Sequence, residues 1–271
     1  MSTAAIVLCG GKSTRMGRDK AWLPWAGVPM VSHVVATLGP VVDEVIVVSS
    51  RDLALPPLDA RIVHDREPAL GPLSGIREGL ACTRSELAFV TATDAPYLTA
   101  AFVQALLDQK GAAAPEVDGY VQTLAAVYPR SSLALVEEMV RARRLRPLGL
   151  LEELHYTKVA AHELPDIGSV KGFNTPAEYL DAVRRASAQP MATLEFLGRA
   201  RMKMGLREMQ TPIGTLREVL GKMVPNVEIL DGDSVAKQYL VSLNGVDFVR
   251  KTAIPIGDGE CVVVLDASVG G

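Results

Sequence analysis

Ala4-Ala5-Ile6-Val7-Leu8-Cys9, followed at once by Gly10-Gly11-Lys12-Ser13-Thr14-Arg15-Met16-Gly17-Arg18-Asp19-Lys20, opens the chain with an unbroken apolar run that ends in a cationic, glycine-containing loop. A strand with one wet face alternates apolar and polar residues, whereas a strand covered on both faces reads as a continuous apolar run. The opening run is of the second kind. Outward from it, Glu44–Val48, Ile62–His64 and Leu87–Ala92 read as further strands. Val31–Leu38, Ser74–Ala81 and Thr99–Lys110 carry apolar residues at helical spacing, and Thr99 is placed to cap the last of them. Strands alternating with helices predict a doubly wound, mostly parallel, Rossmann-like α/β sheet.

The chain has 271 residues, enough for one large domain and one small one. With 48% hydrophobic and 22% charged residues it has the composition of a globular enzyme. A formal net charge of -3 gives no electrostatic footprint for nucleic-acid binding, so any phosphate contact must be local. Cys9, Cys82 and Cys261 show no metal-ligand spacing and read as reduced thiols. No apolar run reaches the ~18–20 residues of a membrane span, and the N-terminus lacks a signal-peptide pattern, so a cytoplasmic protein without membrane partners is expected.

Farther along, Leu124–Tyr128 reads as a strand, Leu133–Arg143 as a helix, and Pro176 opens a helix running to Arg185. The small polar segment Ala186-Ser187-Ala188-Gln189-Pro190 then marks a boundary between a domain over residues 1–187 and another over 191–271. In the second, strand-like Thr193–Leu197, a helix over Ile213–Lys222, strand-like Tyr239–Leu243, an Asn244-Gly245 hairpin signal and Cys261–Leu265 predict a small α+β sheet crossed by a helix, of which β-grasp is one form.

The loop after the first strand carries the densest chemistry. In open α/β sheets ligands bind beyond the carboxyl ends of the strands, and Gly10 and Gly11 allow backbone N–H groups to approach phosphate there. Lys12, Arg15, Arg18 and Lys20 concentrate positive charge against Asp19 alone, which suits a triphosphate. Neither GxGxxG nor GxxxxGK[ST] occurs, which argues against dinucleotide redox chemistry and P-loop hydrolysis. Asp94 leaves the Leu87–Ala92 strand in Thr93-Asp94-Ala95-Pro96. That places it to hold Mg²⁺ beside phosphates, or to serve as a turn residue. His64-Asp65 leads into Gly71-Pro72-Leu73-Ser74-Gly75, which either lets backbone approach a ligand or simply enters a helix.

These stretches resemble the molybdenum cofactor guanylyltransferase family. The pattern L-x-G-G-x-S-x-R-M-G-x-D-K is matched at Leu8, Gly10, Gly11, Ser13, Arg15, Met16, Gly17, Asp19 and Lys20, and Asp-x-Pro at Asp94. The resemblance implies GMP transfer from Mg·GTP to molybdopterin or its molybdenum form. In that chemistry Lys20 neutralises charge at the α-phosphate, Gly10, Gly11 and Arg15 hold the triphosphate, and Asp94 holds Mg²⁺. It further implies that Asp65, Gly71 and Gly75 contact base and ribose, with Leu8 beside them. Asn174 matches the last Asn of the family's F-x-N-x-N-T-P and is a metal candidate or a helix N-terminal residue, while Gly172 stands at the earlier Asn. The cytidylyltransferase for the same cofactor is the nearest alternative, and the Gly71–Gly75 segment looks more like the guanylyl form.

The last seven residues are Leu265-Asp266-Ala267-Ser268-Val269-Gly270-Gly271. A Gly-Gly end can thread a narrow active site and present its carboxylate to an adenylating enzyme, or be a flexible terminus. With Leu243-Asn244-Gly245 and the Gly257-Asp258-Gly259-Glu260 turn, residues 191–271 resemble the ubiquitin-like small subunit of molybdopterin synthase. That resemblance implies a sulfur carrier whose partners are an adenylating and sulfurating enzyme and the synthase large subunit. A chain acting chiefly as such a carrier, with an idle N-terminal domain, is the alternative from a different class.

Overall fold

The computed structural model describes residues 1–10, 15–221 and 229–267, with Pro68 described for its backbone only. Over the described residues the chain packs as two compact units. Met1–Lys12, Lys20–Trp22 and Pro29–Gly172 form the first, and Ser13–Asp19, Leu23–Val28 and Phe173–Gly271 the second.

The first unit is built on an eight-stranded sheet of β1 (Thr3–Cys9), β2 (Glu44–Ser49), β3 (Arg61–His64), β4 (Leu87–Ala92), β5 (Ala113–Val117), β6 (Tyr120–Val121), β7 (Ala125–Pro129) and β8 (Thr157–Ala160). The order is β8-β5-β7-β4-β1-β2-β3, with β6 paired to β5 alone. The β4-β1-β2-β3 half is wholly parallel, and β7 runs against both its neighbours. The opening apolar run behaves as its lack of alternation requires. Ala5, Val7 and Cys9 face a core shared with α1 (Met30–Leu38) and α3 (Ala100–Leu107). Ala4 and Ile6 face the opposite core, with α2 (Pro72–Cys82), α4 (Leu133–Arg141) and α5 (Pro147–Glu153). Thr99 caps α3, its hydroxyl accepting from the Phe102 N–H. That helix ends at Leu107, short of the predicted Lys110, which sits at φ 57.

The second unit holds a five-stranded sheet: β9 (Met191–Leu197), β10 (Glu208–Pro212), β11 (Tyr239–Leu243), β12 (Asp247–Val249) and β13 (Cys261–Asp266), in the order β10-β9-β13-β11-β12. Only the central pair, β9 and β13, is parallel. Asn244 and Gly245 both have positive φ at the turn between β11 and β12, as a type I′ turn needs. Besides α6 (Pro176–Ala186), the unit contains α7 (Gly198–Met204) and α8 (Leu216–Gly221). The helix predicted from Ile213 begins instead at Leu216, because Glu218 accepts from the Thr215 N–H and hydroxyl and so sets the start there. Leu216, Val219 and Leu220 of α8 pack with Leu194, Phe196, Val241 and Val264 of the sheet.

Candidate active site

Three parallel strands end level with one another. Leu8 of β1 pairs with Val48 of β2 on one side and Ala92 of β4 on the other, so the residues that follow emerge along one edge. A cleft of about 250 Å³ opens there, lined among others by Leu8, Gly10, Ser49, Ser50, Asp65, Gly71, Pro72, Gly75 and Leu124. Five residues singled out from the sequence, Leu8, Gly10, Asp65, Gly71 and Gly75, therefore share one wall-to-wall space. Gly71 takes φ 78, which L side chains adopt only with strain. A Cβ at Gly75 would lie 2.9 Å from Leu8 Cδ2, so glycine lets α2 approach the end of β1. Asp65 Oδ1 accepts from the Glu67 N–H at 2.8 Å and the Ser74 hydroxyl at 2.7 Å, which fixes the entry to α2 beside the cleft.

On the same edge, Lys20 Nζ lies 2.5 Å from Asp94 Oδ2, and both side chains are largely shielded. Lys20 projects from a short 3-10 turn, Lys20–Trp22, held by buried Ala21 and by the Trp22 indole N–H bonded to the Ala54 carbonyl. The loop carrying Asp94 is fastened along its length. The Thr93 hydroxyl and N–H both donate to the Leu8 carbonyl at 3.1 and 3.2 Å. His33 bonds the Pro96 carbonyl at 3.1 Å, and the Ser169 hydroxyl bonds that of Tyr97 at 3.1 Å. Because a carbonyl only accepts, His33 Nε2 carries the proton. Burial pushes the His33 pKa below its ordinary value, and the bond to Pro96 offsets this only in part. Gly172 closes the loop's other side: a Cβ there would stand 2.6 Å from the Asp94 carbonyl oxygen and 3.6 Å from its Cγ.

No cluster of three or more His, Cys, Asp or Glu side chains able to hold a metal ion is present among the described residues. Asp94 supplies a carboxylate beside Lys20. That donor set fits Mg²⁺, which keeps several waters and commonly binds through one or two carboxylates plus substrate phosphates rather than in an all-protein cage.

Arg15 is exposed and belongs to the second unit. Asn174 also belongs to the second unit, where its N–H donates to Glu178 just ahead of the Thr175 cap of α6. Arg18, counted from the sequence among the phosphate-seeking cations, is paired with Glu260 at 2.7 Å. Gly11, Gly270 and Gly271 lie outside the described residues. Sequence reasoning passed over Ser49, Ser50 and Leu124 as cleft residues and Thr93 as an anchor, whereas His33 reads from the sequence as structural, in keeping with its bond to Pro96. Ser49 ends β2 and Ser50 follows it at the same carboxyl edge as Gly10, so the strand-end rule reaches them as well.

Residues 5–156, more than half of the chain, match the MobA-like NTP transferase domain. The chain belongs to that family. A Mycobacterium bovis protein named probable molybdenum cofactor guanylyltransferase is 34% identical over 187 residues, covering 65% of this chain and 93% of the relative. One of the same name from Carboxydothermus hydrogenoformans is 29% identical, covering 64% and 91%. Among solved structures, molybdopterin-guanine dinucleotide biosynthesis protein A from Archaeoglobus fulgidus aligns with TM-score 0.58 at 21% identity, covering 68% of this chain and 99% of that one. The 2-C-methyl-D-erythritol 4-phosphate cytidylyltransferase of Thermus thermophilus aligns with TM-score 0.54 at 16% identity, covering 69% and 99%. These two likenesses show the fold, a nucleotidyltransferase-like sheet. As a MobA-like transferase the chain is a nucleotidyltransferase, and no helix among the described residues is long and apolar enough to cross a membrane.

Proposed function

We propose that this MobA-like transferase moves GMP from Mg·GTP onto the phosphate of molybdopterin or its molybdenum form, releasing pyrophosphate. The single observation that carries the reading is the Lys20–Asp94 pair on the same strand-end edge as the glycine-walled cleft. That pair is charge-complementary to a metal triphosphate taken whole. The ammonium suits phosphate oxygens, and the carboxylate suits the divalent ion. Mg²⁺, held by Asp94, would neutralise charge on the triphosphate. Lys20 lowers the charge that builds on the α-phosphate as the acceptor phosphate attacks in line, so no covalent enzyme intermediate is needed. Gly10 and Gly11 hold the triphosphate oxygens. Leu8, Asp65, Gly71 and Gly75 bound the space for base and ribose, and the names of the relatives favour guanine there over cytosine.

We read the C-terminal part, residues 191–271, as a β-grasp domain, a reading supported by the parallel β9–β13 pair and by the packing of α8 on the sheet. We assign it as a sulfur carrier, with Gly270-Gly271 as the activated end. Its partners are then an adenylating and sulfurating enzyme and the large subunit of molybdopterin synthase, and the site of action is the cytoplasm.

Pyrophosphate release with Mg²⁺, molybdopterin and either GTP or CTP tests the reading. Release with GTP should exceed release with CTP, and Lys20→Ala or Asp94→Ala should lower it by at least ~100-fold. Equal turnover in either variant would remove the assignment, and preference for CTP would transfer it to the cytidylyl reaction.

A further inference from the structure

Directly after β3, three consecutive residues are each tied to α2. Asp65 Oδ1 accepts from the Ser74 hydroxyl at 2.7 Å, Arg66 Nε donates to Glu78 Oε2 at 3.0 Å, and Glu67 Oε2 accepts from Arg77 Nη1 at 2.9 Å. Arg77 joins all of these contacts. Its Nε and Nη2 donate to Glu78 Oε1 at 3.1 and 2.7 Å, and Nη2 also reaches the Ser74 hydroxyl at 3.4 Å. The Arg77 and Glu78 side chains are only 15% and 3% exposed, whereas that of Glu67 is half-exposed. Ser74 and Arg77 can meet because residues three apart on a helix share a face. The whole arrangement lies within the first unit.

Asp65 lines the cleft at the strand ends, and its own N–H is fixed to the Ser49 carbonyl at 2.8 Å. The two bonds to its carboxylate, from the Ser74 hydroxyl and from the Glu67 N–H at 2.8 Å, both fall on Oδ1. Arg77 touches the source of each. It tethers the side chain of the residue whose N–H donates, and its charge on the Ser74 oxygen polarises that hydroxyl toward Asp65. Oδ2, with no hydrogen bond among the described residues, is the oxygen left for a ligand in the cleft. A buried ion pair such as Arg77–Glu78 is by itself weak evidence of stabilisation, and fixing one arrangement among several is its best-attested use.

We propose that Arg77 is a positioning residue for nucleotide binding, holding Asp65 so that one carboxylate oxygen stays free to accept an N–H or O–H of the nucleotide. The inference rests on the cleft being the space for base and ribose. An ionised carboxylate only accepts, so a carboxylate held still in that space favours a nucleotide edge that donates.

The test is a double-mutant cycle on the full-length protein, with Arg77→Lys, Asp65→Asn and the two together, and with Glu67→Gln alongside. Lysine keeps a positive charge beside Glu78, but as a point charge it cannot serve Glu78, Glu67 and Ser74 in Arg77's fixed fork. Arg77→Lys should hold its Tm within about 3 °C of wild type. It should raise the KM for GTP about tenfold with kcat within about twofold, and Glu67→Gln should raise KM about threefold. Because Arg77 acts through Asp65, the same lysine change in the Asp65→Asn protein should move KM by less than about twofold. An arginine serving only the fold would lower Tm and leave KM alone. A wild-type KM in Arg77→Lys or Glu67→Gln, or a rise that adds in full to that of Asp65→Asn, would overturn the proposal. A wild-type KM in Asp65→Asn itself would instead reject the cleft as the nucleotide's place, and the positioning role with it.

Discussion

Asp94 is useful only where its loop places it, and that loop hangs from single side chains. His33 is the most informative of them. Its neutral imidazole holds the Pro96 carbonyl, and burial lowers its pKa from the ordinary 6.5. In the unfolded chain the same histidine titrates at its ordinary value, so on acidification the unfolded state takes up its proton first. The stabilisation is therefore complete above about pH 6.5 and is lost as pH falls toward and through the lower folded value. Denaturant unfolding at several pH values between about 8 and about 5 should show wild type losing stability on acidification that His33→Gln does not lose. Parallel pH profiles for the two proteins would contradict this account of the anchor.

At the scale of elements, α2 lies tightly on β1 through two glycines. A Cβ on Gly79 would come within 2.6 Å of Ile6 Cγ2, well inside the core, whereas one on Gly75 would press on Leu8 at the cleft. Overpacking costs typically ~1–3 kcal/mol. Gly79→Ala should therefore destabilise the fold by that order with the KM for nucleotide unchanged, and Gly75→Ala should raise KM as well. Urea unfolding together with KM measurements checks both, and a Gly79→Ala protein with altered KM but full stability would refute the division.

The same elements show what the sequence makes legible. The central strands were readable because double-sided burial leaves an unbroken apolar signature, and α3 because Thr99 caps it. Other elements carried weaker signals. β5 reads Ala-Ala-Pro-Glu-Val, small residues interrupted by a proline, and α7 buries only Ala200 and so shows no apolar stripe. The site divided likewise. Gly10, Asp65, Gly71 and Gly75 were visible because turn chemistry is local. The commitment of Arg18 to Glu260 is a contact 242 residues apart in sequence, and no local pattern announces it.

For the molecule as a whole, the account has a MobA-like transferase sheet that delivers a glycine-walled cleft and an ammonium–carboxylate pair to one edge. The most direct test of the central claim is a crystal structure of the full-length protein with Mg²⁺ and a non-hydrolysable GTP analogue. The account predicts guanine in the cleft bounded by Gly10, Asp65 and Gly71–Gly75, the α-phosphate against Lys20 Nζ and the metal on Asp94. A nucleotide bound elsewhere, with the Lys20–Asp94 pair untouched, would contradict it.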